Sequence, residues 1–206
     1  MNGQRSGYVL LAALTLLNVL NFADRFLLVS FGNSIIEDLQ LSKFQFTLLT
    51  GLVFSVFYVV FGLFAGSLAD RYDRPRLIAA GLALWSALTA ATGLAVNFTQ
   101  AALARAFIGV GEAVLTPSAV SMLSDRLPPR RHGLAAGVYY LGIPVGIGAS
   151  FIFSGVMGPV FGWRGTFIVL GLAGLAATAL VLLLRDPPRG GGALGPEGQR
   201  IGSFRD

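Results

Sequence analysis

The sequence predicts an all-α membrane protein built from six transmembrane helices, and three observations lead to this prediction. Of its 206 residues, 54% are apolar and only 12% are charged, whereas soluble domains have about 25% charged residues. The apolar residues form long uninterrupted runs, and most of the basic residues fall in alternate gaps between those runs. A soluble globular domain is excluded because too few polar residues remain to cover its surface. The absence of cysteine also excludes a disulfide-stapled domain.

Six stretches satisfy the length of about 20 residues that a helix needs to cross a bilayer. Two runs are too long for one crossing, and the polar turn 97–100 and the pair Gly158-Pro159 are predicted to divide them. We number the resulting spans from first to sixth: residues 8–31, 44–69, 77–96, 101–123, 133–157 and 164–184. Arg5 before an apolar run also resembles a signal peptide. Because five more spans follow, we interpret the first as an uncleaved helix.

The basic residues predict the orientation of the chain. Eleven arginines fall on the side of the two termini: Arg5, Arg71, Arg74, Arg76, Arg126, Arg130, Arg131, Arg185, Arg189, Arg200 and Arg205. Only Lys43 and Arg164 fall on the opposite side. By the positive-inside rule, both termini are cytoplasmic and the protein is a multi-pass protein of the cell membrane, the inner membrane if the source is bacterial. The net charge of +5 is therefore a topology signal, and no nucleic-acid partner is expected.

The composition divides the chain into two parts. Residues 1–185 form the predicted six-helix transmembrane bundle. Residues 186–206 are rich in proline and glycine and have no apolar periodicity, which is typical of a flexible cytoplasmic tail or a central linker.

Four ionisable residues lie inside the predicted spans: Asp24, Arg25, Arg105 and Glu112. A charge inside the bilayer costs a few kcal/mol, so such residues face a cavity or a partner and mark transport pathways or proton relays. Arg105 and Glu112 are two turns apart on one face of the fourth span, about 10 Å along its axis. Counted from the outer ends of the two spans, Asp24 and Arg25 lie at depths between those of Arg105 and Glu112. Pairing between the first and fourth spans is therefore geometrically plausible. A static ion-pair network that fixes helix packing is the alternative, and both roles can coexist.

The distribution of these charges also suggests a repeat. If the chain consists of two three-helix units, the first and fourth spans are equivalent, and all the intramembrane charge lies on them. Inverted three-helix repeats with a site at the membrane midplane are a transporter pattern.

The loop after the second span carries a motif. Residues 66–76 read GSLADRYDRPR, which resembles the signature loop of the major facilitator superfamily, G-x-L-A-D-R-x-G-R-[RK], with Asp73 at the usual glycine. Asp70 ends a helix, where the dipole disfavours an anion, so a cation or another helix N-terminus must compensate its charge. The resemblance implies a cytoplasmic gating loop with these residues: Gly66, Asp70, Arg71, Arg74 and Asp125.

Further motifs resemble the spinster branch of this superfamily. They are NFADR at 21–25, RAFIGVGEA at 105–113 followed by Pro117, FGWR at 161–164 and RDPPRG at 185–190. The resemblance covers residues 8–190 and implies the N-terminal half of a twelve-helix secondary transporter that is proton-coupled and works by alternating access. It assigns coupling and substrate roles to these residues: Asp24, Arg25, Arg105 and Glu112. The anion:cation symporter branch shares N-x-x-D-R and G-x-G-E-A, so a carrier of small organic acids is the alternative.

The expected substrate is an organic anion or an amphiphile such as a lysolipid. Candidates for lining the cavity are Phe54, Tyr58, Tyr139 and Pro144, although packing or lipid contact also explains the aromatic stripe of the second span. The other expected partners are protons, membrane lipid, and either a C-terminal six-helix half or a second copy of the chain. No enzyme activity, cofactor or metal is expected, since the sequence has no metal-ligand spacing, phosphate loop or nucleophile triad. A truncated, non-transporting membrane interaction protein is the remaining alternative.

Overall fold

The computed structural model of this chain describes residues 2–190, and its side chains are described from Ser6 onward. This part of the chain contains α-helices and one short 3-10 helix at Pro129–Arg131, which confirms the all-α prediction. The helices are α1 (Asn2–Ser30), α2 (Gly32–Asp38), α3 (Lys43–Thr50), α4 (Leu52–Arg71), α5 (Arg74–Thr92), α6 (Phe98–Glu112), α7 (Leu115–Arg126), α8 (His132–Tyr140) and α9 (Gly142–Val181). Residues 191–206, most of the predicted tail, lie outside the described residues.

The starts of several helices follow from capping residues in the sequence. Ser42 and Gln45 form a reciprocal capping box at the start of α3, and Asn97 accepts a hydrogen bond from the backbone of Gln100 at the start of α6. Asp73 caps α5 in the same way through Arg76. These side chains satisfy backbone N–H groups that the first turn of a helix leaves unpaired.

The helix α9 is in fact two arms that run in opposite directions. Gly162 has φ 64° and ψ −178°, a backbone conformation that glycine adopts most easily. The first arm, residues 142–161, runs parallel to α1, because Gly146 packs on Phe22 and Gly158 packs on Phe31. The prediction that Gly158-Pro159 breaks the helix was wrong by a few residues. The helix continues through Pro159 and reverses at the glycine that can take a positive φ.

Contacts at both ends of the other helices show that the segments alternate in direction. The second arm of α9, residues 163–181, is antiparallel to α5, since Gly171 packs on Ala90 and Gly174 on Ser86. The start of α1 touches the end of α7, and Arg25 near the end of α1 touches Glu112 of α6. Six segments therefore alternate in direction: α1, α3–α4, α5, α6–α7, α8 with the first arm of α9, and the second arm of α9.

Length and composition alone identify four stretches that could cross a membrane: Ser6–Ser30, Lys43–Arg71, Phe98–Arg126 and Pro129–Val181. The last has 53 residues and contains both arms of α9. The 19-residue α5 is not among them. The chain is a multi-pass helical bundle, and the count of six crossings rests on the alternating directions.

Close helix packing places the charged residues of α6. A Cβ atom on Gly111 would lie 2.8 Å from the carbonyl oxygen of Gly81 in α5, a distance that no larger residue tolerates without a shift. The buried apolar side chains form two clusters at different levels, one around Leu14, Leu82 and Met122 and the other around Leu27, Ile35 and Leu49. Asp24 lies between Leu14 and Leu27 in the sequence of α1, so the charged residues occupy the level between the two apolar clusters.

Candidate functional site

The four intramembrane ionisable residues meet in one buried cluster between α1 and α6. The residues Asp24, Arg105 and Glu112 are 3%, 2% and 1% exposed, and the Arg25 side chain is 20% exposed. Their formal charges sum to zero. The sequence prediction that the first and fourth spans pair through these residues is matched by the geometry, whereas their functional roles stay a proposal.

The central contact of this charge cluster is an ion pair between Arg25 and Glu112. Nη2 of Arg25 donates to Oε2 of Glu112 at 2.7 Å, and Nε of Arg25 donates to the same oxygen at 3.0 Å. Nη2 of Arg105 donates to the backbone carbonyl of Arg25 at 2.7 Å. Both arginines therefore fix the end of α1 against α6, and one carboxylate oxygen carries both hydrogen bonds from the Arg25 side chain.

Aromatic rings form one wall of the charge cluster. The guanidinium carbon of Arg25 lies 4.8 Å from the ring centre of Phe22, 4.4 Å from Phe54 and 4.7 Å from Tyr58. Arg105 lies 5.0 Å from the Phe54 ring. Cation–π contacts are worth up to about 2 kcal/mol when they are desolvated. The rings thus stabilise two cations without using the hydrogen-bond donors of either one.

The charge cluster retains polar atoms with no hydrogen-bond partner among the described residues. They include Oδ2 of Asp24, Nε of Arg105 and Oε1 of Glu112, and also Nδ2 of Asn21. A buried polar atom without a partner costs about 1–3 kcal/mol, and native structures contain few of them. The unpaired carboxylate oxygens can therefore take up a proton, and the unpaired donors and acceptors together can bind water or a ligand.

Asn21 is a member of the site that the sequence analysis quoted only as part of a motif. It is 4% exposed, and it lies three residues before Asp24, on the same face of α1. Its spacing was the available signal, since residues three apart on a helix are neighbours.

The candidates for lining the cavity divide into two groups. Phe54 and Tyr58 contact the charge cluster through their rings, and they stack on each other with ring centres 5.4 Å apart. Tyr139 is fully buried and its hydroxyl is 3.2 Å from the hydroxyl of Thr116, so it belongs to the packed interior. Pro144 is exposed on the first arm of α9.

A second set of charges meets at the end of the bundle that carries most of the arginines, which we call the basic end. Arg74 is 1% exposed, and its Nη1 donates to Asp125 at 2.5 Å and to Ser121 at 2.9 Å. Its Nε donates to Asp186 at 2.7 Å, and its Nη2 donates to the carbonyl of Pro187 at 2.7 Å. Every nitrogen of this guanidinium is therefore paired.

The predicted gating loop contributes only part of this Arg74 network. Arg74 and Asp125 lie in it, whereas Asp70 and Arg71 are exposed and Gly66 is half-buried in α4. Asp186 is a member that the sequence analysis did not assign. Its available signal was its position directly after the last span in RDPPRG. Among the described residues, no three His, Cys, Asp or Glu side chains come together to hold a metal ion.

Long apolar helices around a neutral group of buried charges define a multi-pass helical membrane protein. The sequence pattern of the Major Facilitator Superfamily matches residues 14–205, and the chain belongs to this superfamily. It is 31% identical to an MFS-type efflux pump of Mycolicibacterium smegmatis over 89% of this chain and 43% of that protein. It is 28% identical to the "probable sphingolipid transporter spinster homolog 1" of Arabidopsis thaliana over 84% of this chain and 39% of that protein.

A solved structure gives the same result. The crystal structure of a bacterial homologue of the human lysosomal transporter Spinster, inward-facing and unoccupied, superposes with a TM-score of 0.85 and 32% sequence identity over 90% of this chain and 44% of that chain. The predicted spinster-like branch is thus confirmed. The chain spans less than half the length of these relatives.

Proposed function

We propose that this chain is the N-terminal half of a secondary active transporter that couples the movement of protons to the movement of an organic anion or amphiphile, such as a lysolipid. The observation that carries the proposal is the charge cluster, in which Asp24, Arg25, Arg105 and Glu112 are buried together with incompletely paired polar atoms. Intramembrane ionisable residues of this kind mark substrate and ion pathways.

The ion pair between Arg25 and Glu112 links proton binding to anion binding. A proton on Glu112 removes the negative charge that holds Arg25, so the guanidinium becomes available to an anionic ligand. An anion on Arg25 in turn frees the Glu112 carboxylate to take up a proton. Proton and substrate thus favour the same state of the charge cluster, which is the condition for coupling through a two-state equilibrium.

The aromatic wall favours a ligand with an apolar part. Phe22, Phe54 and Tyr58 surround the Arg25 guanidinium within 5 Å of their ring centres, so an anion bound there is adjacent to apolar surface. A lysolipid has both an anionic headgroup and an acyl chain. The printed name of the Arabidopsis relative, a probable sphingolipid transporter, supports this substrate class.

A second six-helix bundle, supplied by the same polypeptide, another polypeptide or a second copy, would complete the cavity. Only 17% of the residues in the most apolar part of Lys43–Arg71 are buried. Large apolar side chains stand exposed on α4, among them Leu63 at 76%, Phe64 at 61% and Val59 at 58%. In the proposed transporter, such surface faces lipid or the second bundle.

The proposal is tested by Glu112→Gln in a complete transporter that contains this chain, reconstituted in liposomes. We expect uptake of a fluorescent lysophospholipid driven by a proton gradient to fall to background, because the amide cannot exchange a proton. Exchange of substrate across the membrane without a gradient should remain. Glu37→Gln is the matched control, since Glu37 is an exposed glutamate of α2, and it should keep both activities.

Two outcomes would count against the proposal. Gradient-driven uptake that survives Glu112→Gln would remove Glu112 from the coupling role. Uptake of small organic acids but not of lysophospholipid would favour the symporter-type alternative.

The 206-residue chain reconstituted alone should show no flux, and flux from a dimer of it would identify a second copy as the completing half.

A further inference from the structure

A cavity at the basic end of the bundle is separate from the charge cluster. It has a volume of about 460 Å³ and lies between the first turns of α1, the end of α7 and the segment that follows α9. Its walls include Ser6, Arg126 and Arg185 together with the apolar side chains of Val9 and Leu183. This basic cavity therefore combines cationic and apolar surface in one place.

Within residues 6–190, no carboxylate forms an ion pair with the cations of the basic cavity, Arg126 and Arg185. Asp186 also lines the cavity, but its Oδ1 and Oδ2 accept hydrogen bonds from Nε and the backbone N–H of Arg74 at 2.7 and 3.1 Å. Arg74 is shared with Asp125, so it offsets only part of the Asp186 charge. Even with Asp186 counted in full, Arg126 and Arg185 leave the described lining of the basic cavity with a net positive charge.

Helix packing places the start of the Arg126 side chain against α1. A Cβ atom on Gly7 would lie 2.8 Å from Cδ2 of Leu127 and 3.7 Å from Cγ of Arg126. The first turns of α1 are therefore in close contact with the end of α7, and Arg126 and Ser6 both line the cavity. These tertiary contacts place the half-buried Arg126 at the cavity, whereas Arg185 is exposed where it lines the cavity.

An apolar groove continues from the basic cavity along the seam between α1 and the second arm of α9. It has a volume of about 260 Å³, and Leu184 lines both the groove and the basic cavity. The other groove residues are Ala13, Leu16, Leu17, Leu20, Ala177, Leu180 and Val181. On α1 the two sites follow one face from Ser6 to Leu20, which spans about 21 Å at 1.5 Å per residue. That length covers the headgroup region and one leaflet, since half of the hydrocarbon core is about 15 Å thick.

We propose that the basic cavity and the groove together bind one anionic glycerophospholipid of the adjacent leaflet, with its phosphate at Arg126 and Arg185 and an acyl chain between α1 and α9. The charge of the cavity matches a phosphate, and the groove that continues from it matches a hydrocarbon chain. Basic pockets between transmembrane helices on the cytoplasmic side bind anionic lipid headgroups. The lipid is a bound component and not the transported substrate, because the site lies outside the cluster between α1 and α6.

The test measures binding of dioleoyl phosphatidylglycerol to the purified 206-residue chain in detergent micelles, by native mass spectrometry and by the rise in unfolding temperature. Wild-type protein should retain one lipid. The double variant Arg126→Gln/Arg185→Gln should bind it about 25-fold more weakly, from about a fivefold loss for each basic residue near a lipid surface. Arg76→Gln is the control, because Arg76 is at the same end of the bundle, has a side chain that is 83% exposed and does not line the cavity.

Two further probes separate the headgroup from the chain. Glycerol 3-phosphate carries the anion without a hydrocarbon chain and should give no stabilisation at equal concentration, whereas phosphatidylcholine should bind at least tenfold more weakly than phosphatidylglycerol. Ala177→Phe fills the groove and should weaken phosphatidylglycerol binding while circular dichroism stays unchanged. Full binding by the double variant, or by Ala177→Phe, would overturn the proposal. Stabilisation by glycerol 3-phosphate equal to that by the lipid would overturn it as well.

Discussion

The charge cluster between α1 and α6 and the Arg74 network at the basic end differ in how completely their polar atoms are paired. Every nitrogen of the Arg74 guanidinium donates a hydrogen bond, and both of its carboxylate partners accept at 2.7 Å or less. In the charge cluster, Oδ2 of Asp24, Nε of Arg105 and Oε1 of Glu112 have no partner among the described residues. Both groups are buried, so the difference does not come from access to solvent.

This difference separates a structural role from a functional one. A fully paired buried network holds one conformation, because any movement leaves a charge unpaired in a medium of low dielectric constant. A partly paired group can change partners at a smaller free-energy cost, because some of its polar atoms have no hydrogen bond that the change would break. The Arg74 network therefore holds α5, α7 and residues 186–187 together, and we propose that the charge cluster is the group that binds.

The largest expected effect is the loss of the structural network. Arg74→Gln leaves Asp125 and Asp186 without their common cation, and breaking a buried ion pair typically costs about 3–5 kcal/mol. The unfolding free energy of the chain in mixed micelles should fall by that order. Arg76→Gln, which removes an arginine that is 83% exposed, should change it by less than about 0.5 kcal/mol. Equal losses for the two variants would show that the Arg74 network does not stabilise the fold.

A smaller effect is expected from changing the packing beside the charge cluster. Gly111→Ala places a Cβ atom 2.8 Å from the carbonyl oxygen of Gly81, so α6 must move away from α5 at a cost of about 1–3 kcal/mol. Gly148→Ala is the matched control, since a Cβ atom there has no neighbour within 4 Å. Thermal unfolding should separate the two variants. If Gly111→Ala is as stable as Gly148→Ala, close contact with α5 does not position Glu112.

The smallest effect on stability is expected from two variants that report position through chemical labelling of an introduced thiol. They test which side of the membrane the Arg74 network faces. The chain has no cysteine, so one introduced thiol reports its own position. Thr99→Cys, exposed in the first turn of α6, should react with a membrane-impermeant maleimide added to whole cells. Tyr72→Cys, 60% exposed beside Arg74, should react only after the cells are opened. The reverse pattern would place the basic end outside the cell.

The sequence predicted the charge cluster better than the Arg74 network, for a physical reason. Asp24, Arg25, Arg105 and Glu112 are conspicuous because charges in apolar helices are costly, and helical periodicity places them at matching levels. Asp186 and Pro187 join Arg74 from a segment 112 residues away in the chain, and no local period encodes such a contact. The reversal at Gly162 was placed at Gly158-Pro159, since proline is the usual helix breaker and the positive φ of a glycine is visible only in the structure.

The most direct test of the account compares one carboxylate from each group of charges. Glu112→Gln and Asp125→Asn both replace a carboxylate with an amide of nearly the same shape, and both are assayed for gradient-driven uptake and for substrate exchange in liposomes. We expect Asp125→Asn to lower both activities by the same factor, through reduced stability, and Glu112→Gln to abolish uptake while exchange continues. A ratio of uptake to exchange that changes in Asp125→Asn, or stays constant in Glu112→Gln, would contradict the division between a structural network and a coupling site.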